Sequence, residues 1–215
     1  MFSVKAQEGP HKKSSSGHDS AVRSQALEWI WNYLQDVAKP HVLDCGSVSP
    51  STVRALTKRH AKVYVADLIA PLQRDSSTYW RQEGKQTIFC LEKLLEEVPP
   101  IPPGSLSLIC CWHLLDLVPH DRVADLVRFL LSLLGPGGIF FCFLREPNLA
   151  RGRDGRWRLE SLTTLGAESE DVGQFPYAPL SNREIEKLTA GCSHKTFLTR
   201  SHRREVVVLR SEEED

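Results

Sequence analysis

Three short stretches hold the residue types that could do chemistry. "VLDCGSVSPST" (42–52) brings a carboxylate, Asp44, together with Cys45, the single glycine Gly46 and Ser47 ahead of a Ser-Pro pair. "VYVADL" closes an apolar run with Asp67 and Leu68. "SLSLICCWHLLD" runs from a strongly apolar segment into Trp112, His113 and Asp116. A histidine titrates near neutral pH and is the commonest general base. Asp116 follows three residues later, and on a helical turn the two side chains share a face, so the carboxylate would orient the imidazole. Each residue also has a plainer reading: His113 as a hydrogen-bonded core histidine, Asp44 as the acceptor that holds its own turn, Asp67 as a surface carboxylate.

The elements around these stretches decide where they lie. Apolar residues at Ala26, Leu27, Ile30, Tyr33, Leu34 and Val37 predict a helix over 20–37, stopped by Pro40. "HVLDC" reads as a short buried strand, and "SPSTVRALTKRH" as a helix with Ser49 as N-cap and Pro50 at the first position. "AKVYVADL" is a second strand, 69–84 a helix plus loop, and "QTIFCL" a third strand. "EKLLEEVPPIPPG" is a short helix broken by prolines, and "SLSLICCW" a fourth strand of the kind buried on both faces. "PHDRVADLVRFLLSLL" is a strong helix, ended by "GPGG" with Gly135 as the left-handed cap, and "IFFCFL" is the fifth strand. Residues 145–180 are polar and rich in Gly and Arg. "SNREIEKLTAG" is a helix with a Ser181/Glu184 capping box. "HKTFLTR" and "REVVVLR" form a hairpin turning at Ser201 and His202.

Five alternations of strand and helix predict an α/β fold: a doubly wound, mostly parallel, Rossmann-like sheet with helices on both faces. The C-terminal hairpin adds an antiparallel edge. Ligands in such sheets bind beyond the carboxyl ends of the strands. That selects Asp44 to Ser47, Asp67, Leu91 and Glu92, and Trp112 to Asp116. In organisation, residues 1–19 read as a disordered tail, 20–210 as one domain with 145–180 as its lid or substrate loop, and 211–215 as an acidic tail.

Composition narrows the classes. The 215 residues carry 27 Lys and Arg against 27 Asp and Glu, so net charge gives no argument for nucleic acid or an anionic membrane. Arg145, Arg151, Arg153, Arg156 and Arg158 cluster with Trp157, a pattern that suits a solvated loop or a lid recruiting an anion. Glu146, Asp154 and Glu160 dilute that charge and weaken a nucleic-acid reading. Phe175 and Tyr177 would close or underpin the lid. The six cysteines contain no CxxC pair, so no metal is expected and reduced buried thiols are. No apolar stretch reaches the ~18 residues of a membrane span. A cytoplasmic setting is the resulting expectation. G-x-G-x-x-G is missing, which disfavours a nicotinamide-dependent reductase.

The order of the pieces resembles class I S-adenosylmethionine-dependent methyltransferases. "VLDCGSVSP" stands for the glycine loop, "VYVADL" for the acidic second strand and "SLSLICCWHLLDLVP" for the fourth-strand motif. "LLGPGGIFFCFL" matches the turn into the fifth strand, and the terminal hairpin matches the last two strands. The resemblance covers about residues 20–210 and implies S-adenosylmethionine as cofactor. By it, Asp44 and Gly46 lie beside the methionine part, with Cys45 and Ser47 also cofactor-binding, Asp67 accepts from the ribose hydroxyls and Leu68 packs on the adenosine. Leu91 or Glu92 approaches the adenine edge, and Trp112 and His113 line the floor where donor and acceptor meet, with His113 the base candidate. The methyl acceptor, a small molecule or a protein, is not specified.

The loop departs from the family pattern of roughly Asp-x-Gly-x-Gly-x-Gly, for Val48 and Pro50 replace two glycines. If position 48 needs positive φ, valine is strained there, and Pro50 removes one N–H from the helix start. Two functions follow: a methyltransferase with an altered loop, or a catalytically inactive methyltransferase-like binding or scaffold domain. A cleft open above Gly46 would favour the first; the Val48 side chain filling it would favour the second.

Overall fold

The structure, a computed structural model, describes residues 21–146, 156–168, 175–199 and 203–211. The expected tail over 1–19, Arg151, Arg153, Asp154 and the turn at Ser201 and His202 lie outside them. In the first half of the chain the elements are β1 (Val22–Arg23), α1 (Gln25–Tyr33), β2 (His41–Asp44), α2 (Pro50–Lys58), β3 (Lys62–Val65), α3 (Ile69–Arg74), β4 (Trp80–Glu83), β5 (Gln86–Phe89) and α4 (Leu91–Leu95). Then come β6 (Leu106–Trp112), α5 (His120–Leu133), β7 (Leu134–Arg145), β8 (Arg156–Ser161), β9 (Thr164–Glu168), α6 (Asn182–Leu188), β10 (Ser193–Leu198) and β11 (Arg203–Leu209).

Six strands make the central sheet in the order β10-β11-β7-β6-β2-β3. Strands β3, β2, β6 and β7 run parallel, β11 is antiparallel to β7, and β10 is antiparallel to β11. The middle of the sheet is buried on both faces: Leu43, Leu108, Ile109, Phe141 and Cys142 are inaccessible or nearly so, as continuous apolar runs in parallel sheets require. This is the mostly parallel α/β sheet with a C-terminal antiparallel hairpin that the alternating pattern implies.

The helices form where the sequence places them, with ends set by local chemistry. Ser24 caps α1 by accepting from Leu27 N at 3.0 Å. The buried Glu205 of β11 then accepts from Ser24 Oγ and Ala26 N, which ties α1 to the antiparallel edge. Helix α1 stops at Tyr33, short of Pro40, and Val37 is exposed. In α6 the capping box is complete: Ser181 Oγ accepts from Glu184 N, and the Glu184 carboxylate accepts from Ser181 N.

Three expectations are corrected. First, "QTIF" is not a strand of the central sheet. It pairs antiparallel with Trp80–Glu83 across Gly84, whose φ is 60°. Gln86 and Thr87 are exposed, and a strand with a wet face does not insert into a sheet covered on both sides. Second, the cap after α5 is not left-handed at Gly135. The chain passes straight from Leu133 into β7, and the positive φ falls at Gly137, 66°. Gly135 serves close approach instead, since a Cβ there would stand 2.8 Å from Gly104 O. Third, the polar stretch after β7 contains the β8–β9 hairpin, whose second strand pairs with β1. Trp157 and Leu159 alternate toward one face, and Leu159 is fully buried.

Candidate functional site

Strands β2, β3 and β6 end side by side, and their last residues meet. Cys45 N donates to Cys110 O at 3.0 Å, Ala66 N to Asp44 O at 2.8 Å, and Leu68 N to Cys45 O at 3.3 Å. This backbone lacing brings Asp44, Gly46, Ser47, Asp67 and Trp112 to one carboxyl edge, where the topology expects a ligand.

Asp44 is buried, and its Oδ1 accepts two hydrogen bonds: from Gly46 N at 3.0 Å and from Trp112 Nε1 at 2.5 Å. Burial pushes its carboxyl up to about 6; the two hydrogen bonds pull the other way, and the nearby Asp67 charge adds to the rise. Trp112 is the donor in the second of these bonds. Its φ is 53°, in the left-handed region that a bulky side chain rarely enters. That backbone turn lays the indole over Gly46: a Cβ on Gly46 would stand 2.7 Å from Trp112 Nε1 and 2.8 Å from its Cδ1. The indole also contacts Phe143 and Phe141 with ring centroids at 5.5 Å and 6.2 Å, and Phe143 in turn contacts Trp157 of β8 at 5.8 Å.

The strain expected at Val48 does not exist. No residue from Asp44 to Pro50 has positive φ, and Val48 is 68% exposed, so it fills nothing. The loop takes a path that valine and proline accept, and the strained φ sits at Trp112 instead.

Asp67 lies at the end of β3. Its Oδ1 accepts from Ala70 N at 3.0 Å, at the start of α3, and from Ser47 Oγ at 3.4 Å. Leu68 is fully buried behind it. Leu91 and Glu92 open α4 after the β4–β5 hairpin; Leu91 is buried and Glu92 exposed. Among the described residues no side-chain hydrogen bond, ion pair or ring contact joins those two to the Asp44–Asp67 group.

His113 is buried, and its Nε2 pairs with the Gln73 amide nitrogen of α3 at 3.2 Å. With that nitrogen donating, Nε2 accepts and Nδ1 carries the proton. Burial pushes the imidazole down to about 3, helped by the Arg203 and Arg145 charges. It is therefore neutral at pH 7 and a poor match to a general base, which works best with a pKa near the operating pH. Asp116 does not orient it. The carboxylate turns to Arg145, with Oδ2 3.3 Å from Nε, both side chains buried. Phe175 sits between the two groups: its ring meets His113 edge-on at 5.5 Å and carries the Arg145 guanidinium at 4.2 Å. His113 Nδ1, Gln73 Oε1 and Arg145 Nη1 are buried there without hydrogen-bond partners among the described residues. Gln73 gave no sequence signal; only the position of α3 brings it to His113.

Of the arginine cluster, Arg145 packs inward and Arg158 pairs with Glu160 at 2.6 Å; the cluster's Trp157 carries Arg203 of β11, from outside the cluster, at 3.7 Å. The cysteines are free thiols, and burial pushes Cys45, Cys110 and Cys111 up. Among the described residues no three His, Cys, Asp or Glu side chains converge as a metal site, and no helix is long and apolar enough to cross a membrane.

No protein-family model matches the chain, and no curated protein matches it in sequence. Solved structures do. A 1,6-didemethyltoxoflavin-N1-methyltransferase of Burkholderia thailandensis is 13% identical, with a TM-score of 0.45 over 87% of this chain and 79% of its own. An S-adenosylmethionine-dependent methyltransferase of Methanosarcina mazei is 16% identical, TM-score 0.48, over 86% of this chain and 98% of its own. The magnesium protoporphyrin IX methyltransferase of Synechocystis is 16% identical, TM-score 0.48, over 86% and 76%. In the sheet itself, the loop, acidic-strand, fourth-strand and fifth-strand pieces and the terminal hairpin occupy β2, β3, β6, β7 and β10–β11, with β11 reversed. The chain has a class I methyltransferase-like fold.

Whether this methyltransferase-like fold holds S-adenosylmethionine depends on the space above Gly46. At the β3 side the residues suit a ribose: Asp67 presents a carboxylate beside Ser47. On the loop side the indole lies within a Cβ's reach of Gly46, and Asp44 Oδ1 accepts from Gly46 N and Trp112 Nε1.

Proposed function

We propose that this chain is a catalytically inactive methyltransferase-like domain that works by binding. The observation that carries the reading is the Trp112 indole seated on Gly46 and bonded to Asp44. One further feature agrees with it. His113, the base candidate, is neutral, engaged by Gln73 and roofed by Phe175. The part of the carboxyl edge with unsatisfied chemistry is the group of His113 Nδ1, Gln73 Oε1 and Arg145 Nη1. Buried polar atoms without partners are rare, and these three are where a bound ligand or water would find hydrogen bonds.

The second reading is an S-adenosylmethionine-dependent methyltransferase acting on a small-molecule or protein acceptor in the cytoplasm. The placement of Asp67 beside Ser47 favours it. It requires the indole to swing off Gly46, which would break the bond to Asp44 and release the left-handed backbone at Trp112. The cofactor would supply an electrophilic methyl group, and this chain would mainly position and desolvate.

Calorimetric titration of the protein with S-adenosylmethionine and S-adenosylhomocysteine separates the two. The binding-domain reading expects no heat of binding from either ligand. Micromolar binding that Asp67→Ala abolishes would overturn it in favour of the enzyme.

A further inference from the structure

A groove away from the Asp44–Trp112 edge has no part in the reading above. It runs between α2 and the β8–β9 turn and encloses about 310 Å³, at the small end of ligand sites. Its walls are fixed to each other: Leu159 N of β8 donates to Thr52 Oγ1 of α2 at 2.9 Å, in a buried bond. On the helix side it presents Ser51, Arg54 and Lys58, and on the turn side Glu160, Ser161 and Thr163.

The charges are the informative part. Arg54 and Lys58 stand one helical turn apart, both exposed, and neither makes a side-chain hydrogen bond or ion pair among the described residues. Like charges at this spacing repel and cost the helix stability. The next arginine on the same segment shows the contrast, for Arg59 bonds Leu34 O and Gln35 O. The one acid in the groove, Glu160, is matched by Arg158 Nε at 2.6 Å. The lining itself carries two cations, Arg54 and Lys58, and the one carboxylate beside them is engaged by Arg158 from outside the groove. Hydroxyls complete the lining: Ser161 Oγ accepts from Thr163 N at 3.3 Å, so its own O–H remains to be donated, and Ser51 Oγ pairs with Ser49 Oγ at 3.0 Å.

Two cations one helical turn apart, with no side-chain partner among the described residues, and donor hydroxyls beside them suit a dianion that can accept several charge-assisted hydrogen bonds. We propose that this groove binds the phosphate group of a small phosphomonoester, with Arg54 and Lys58 holding the phosphate and the groove walls the remainder. The site is independent of whether the Gly46 edge takes a cofactor.

The test is calorimetric titration of the whole chain with inorganic phosphate, glucose 6-phosphate and glucose, at low and high salt. The groove should bind the two phosphates and not the sugar, more weakly as salt rises. The double substitution Arg54→Gln and Lys58→Gln should weaken binding by about tenfold or more. Both side chains are exposed and their mutual repulsion is removed, so without ligand the variant should melt at or slightly above the parent's temperature. No binding at about 10 mM of either phosphate, or equal affinity in the double variant, would overturn the proposal. Binding of glucose as tight as that of its phosphate would overturn it too.

Discussion

Trp112 and Asp44 stand 68 positions apart in the chain and meet at 2.5 Å, indole N–H to carboxylate, at the joined ends of β6 and β2. The contact lies at the carboxyl edge of the sheet, beside Gly46. It links three unusual features: a left-handed Trp, an ionisable group pushed up to about 6 and a glycine with an indole where its Cβ would go.

Trp112→Phe keeps the ring and removes the donor. The buried carboxylate then lacks one partner, which costs about 1–3 kcal/mol. Urea unfolding at pH 7 should show a loss of that size with an unchanged m-value. A neutral substitution would mean that the bond contributes nothing to the fold.

Gly46→Ala puts a methyl group against the indole and should destabilise by about 1–3 kcal/mol, as overpacking does. The penalty should shrink in a Trp112→Ala background, because the clash partner is gone. A double-mutant cycle reads this directly, and additive effects would contradict the contact.

Asp44 sets a pH dependence with a definite sign. Its folded value, about 6, is raised above the ordinary 3.8. The native carboxyl therefore keeps a proton that the unfolded chain loses. The stabilising contribution is complete below about pH 4 and is lost as pH rises through about 6, some 3 kcal/mol in all. Asp44→Asn is neutral throughout, so its stability relative to the parent should climb between about pH 4 and pH 7. A flat difference in melting temperature across that window would refute the shift.

His113 works in the opposite direction. Its folded value is pushed down from 6.5 to about 3, so its contribution is complete above 6.5 and lost as pH falls toward 3. Proton NMR should find this imidazole still neutral at about pH 5. Titration near 6.5 would place it in water and reopen the general-base role.

Much of this was legible in the chain. The apolar runs at Val42–Leu43, Leu108–Cys111 and Ile139–Phe143 became central strands because no other placement buries them. Ser181 and Glu184 are spaced as a capping box and form one. The "QTIF" strand was misplaced because its apolar end hides a wet face, which only the pairing with β4 reveals. The β8–β9 hairpin was hidden by arginines that alternate with Trp157 and Leu159. The site itself was half legible. Position along the strands brought Asp44, Ser47, Asp67 and Trp112 to one edge, but side-chain direction is not written in spacing. A tryptophan at a strand end reads as a pocket wall until its φ is known, and the pairings of Asp116 with Arg145 and of His113 with Gln73 depend on contacts between distant elements.

The central claim is that the Trp112 indole occupies the site in solution. The most direct measurement is the indole N–H resonance of Trp112 in a nitrogen-15 correlation spectrum, assigned by its disappearance in Trp112→Phe and followed during addition of S-adenosylmethionine. The account predicts a hydrogen-bonded, exchange-protected resonance that does not move as the ligand is added. A resonance that shifts to saturation would show the indole leaving Gly46 for the ligand, and would contradict the account.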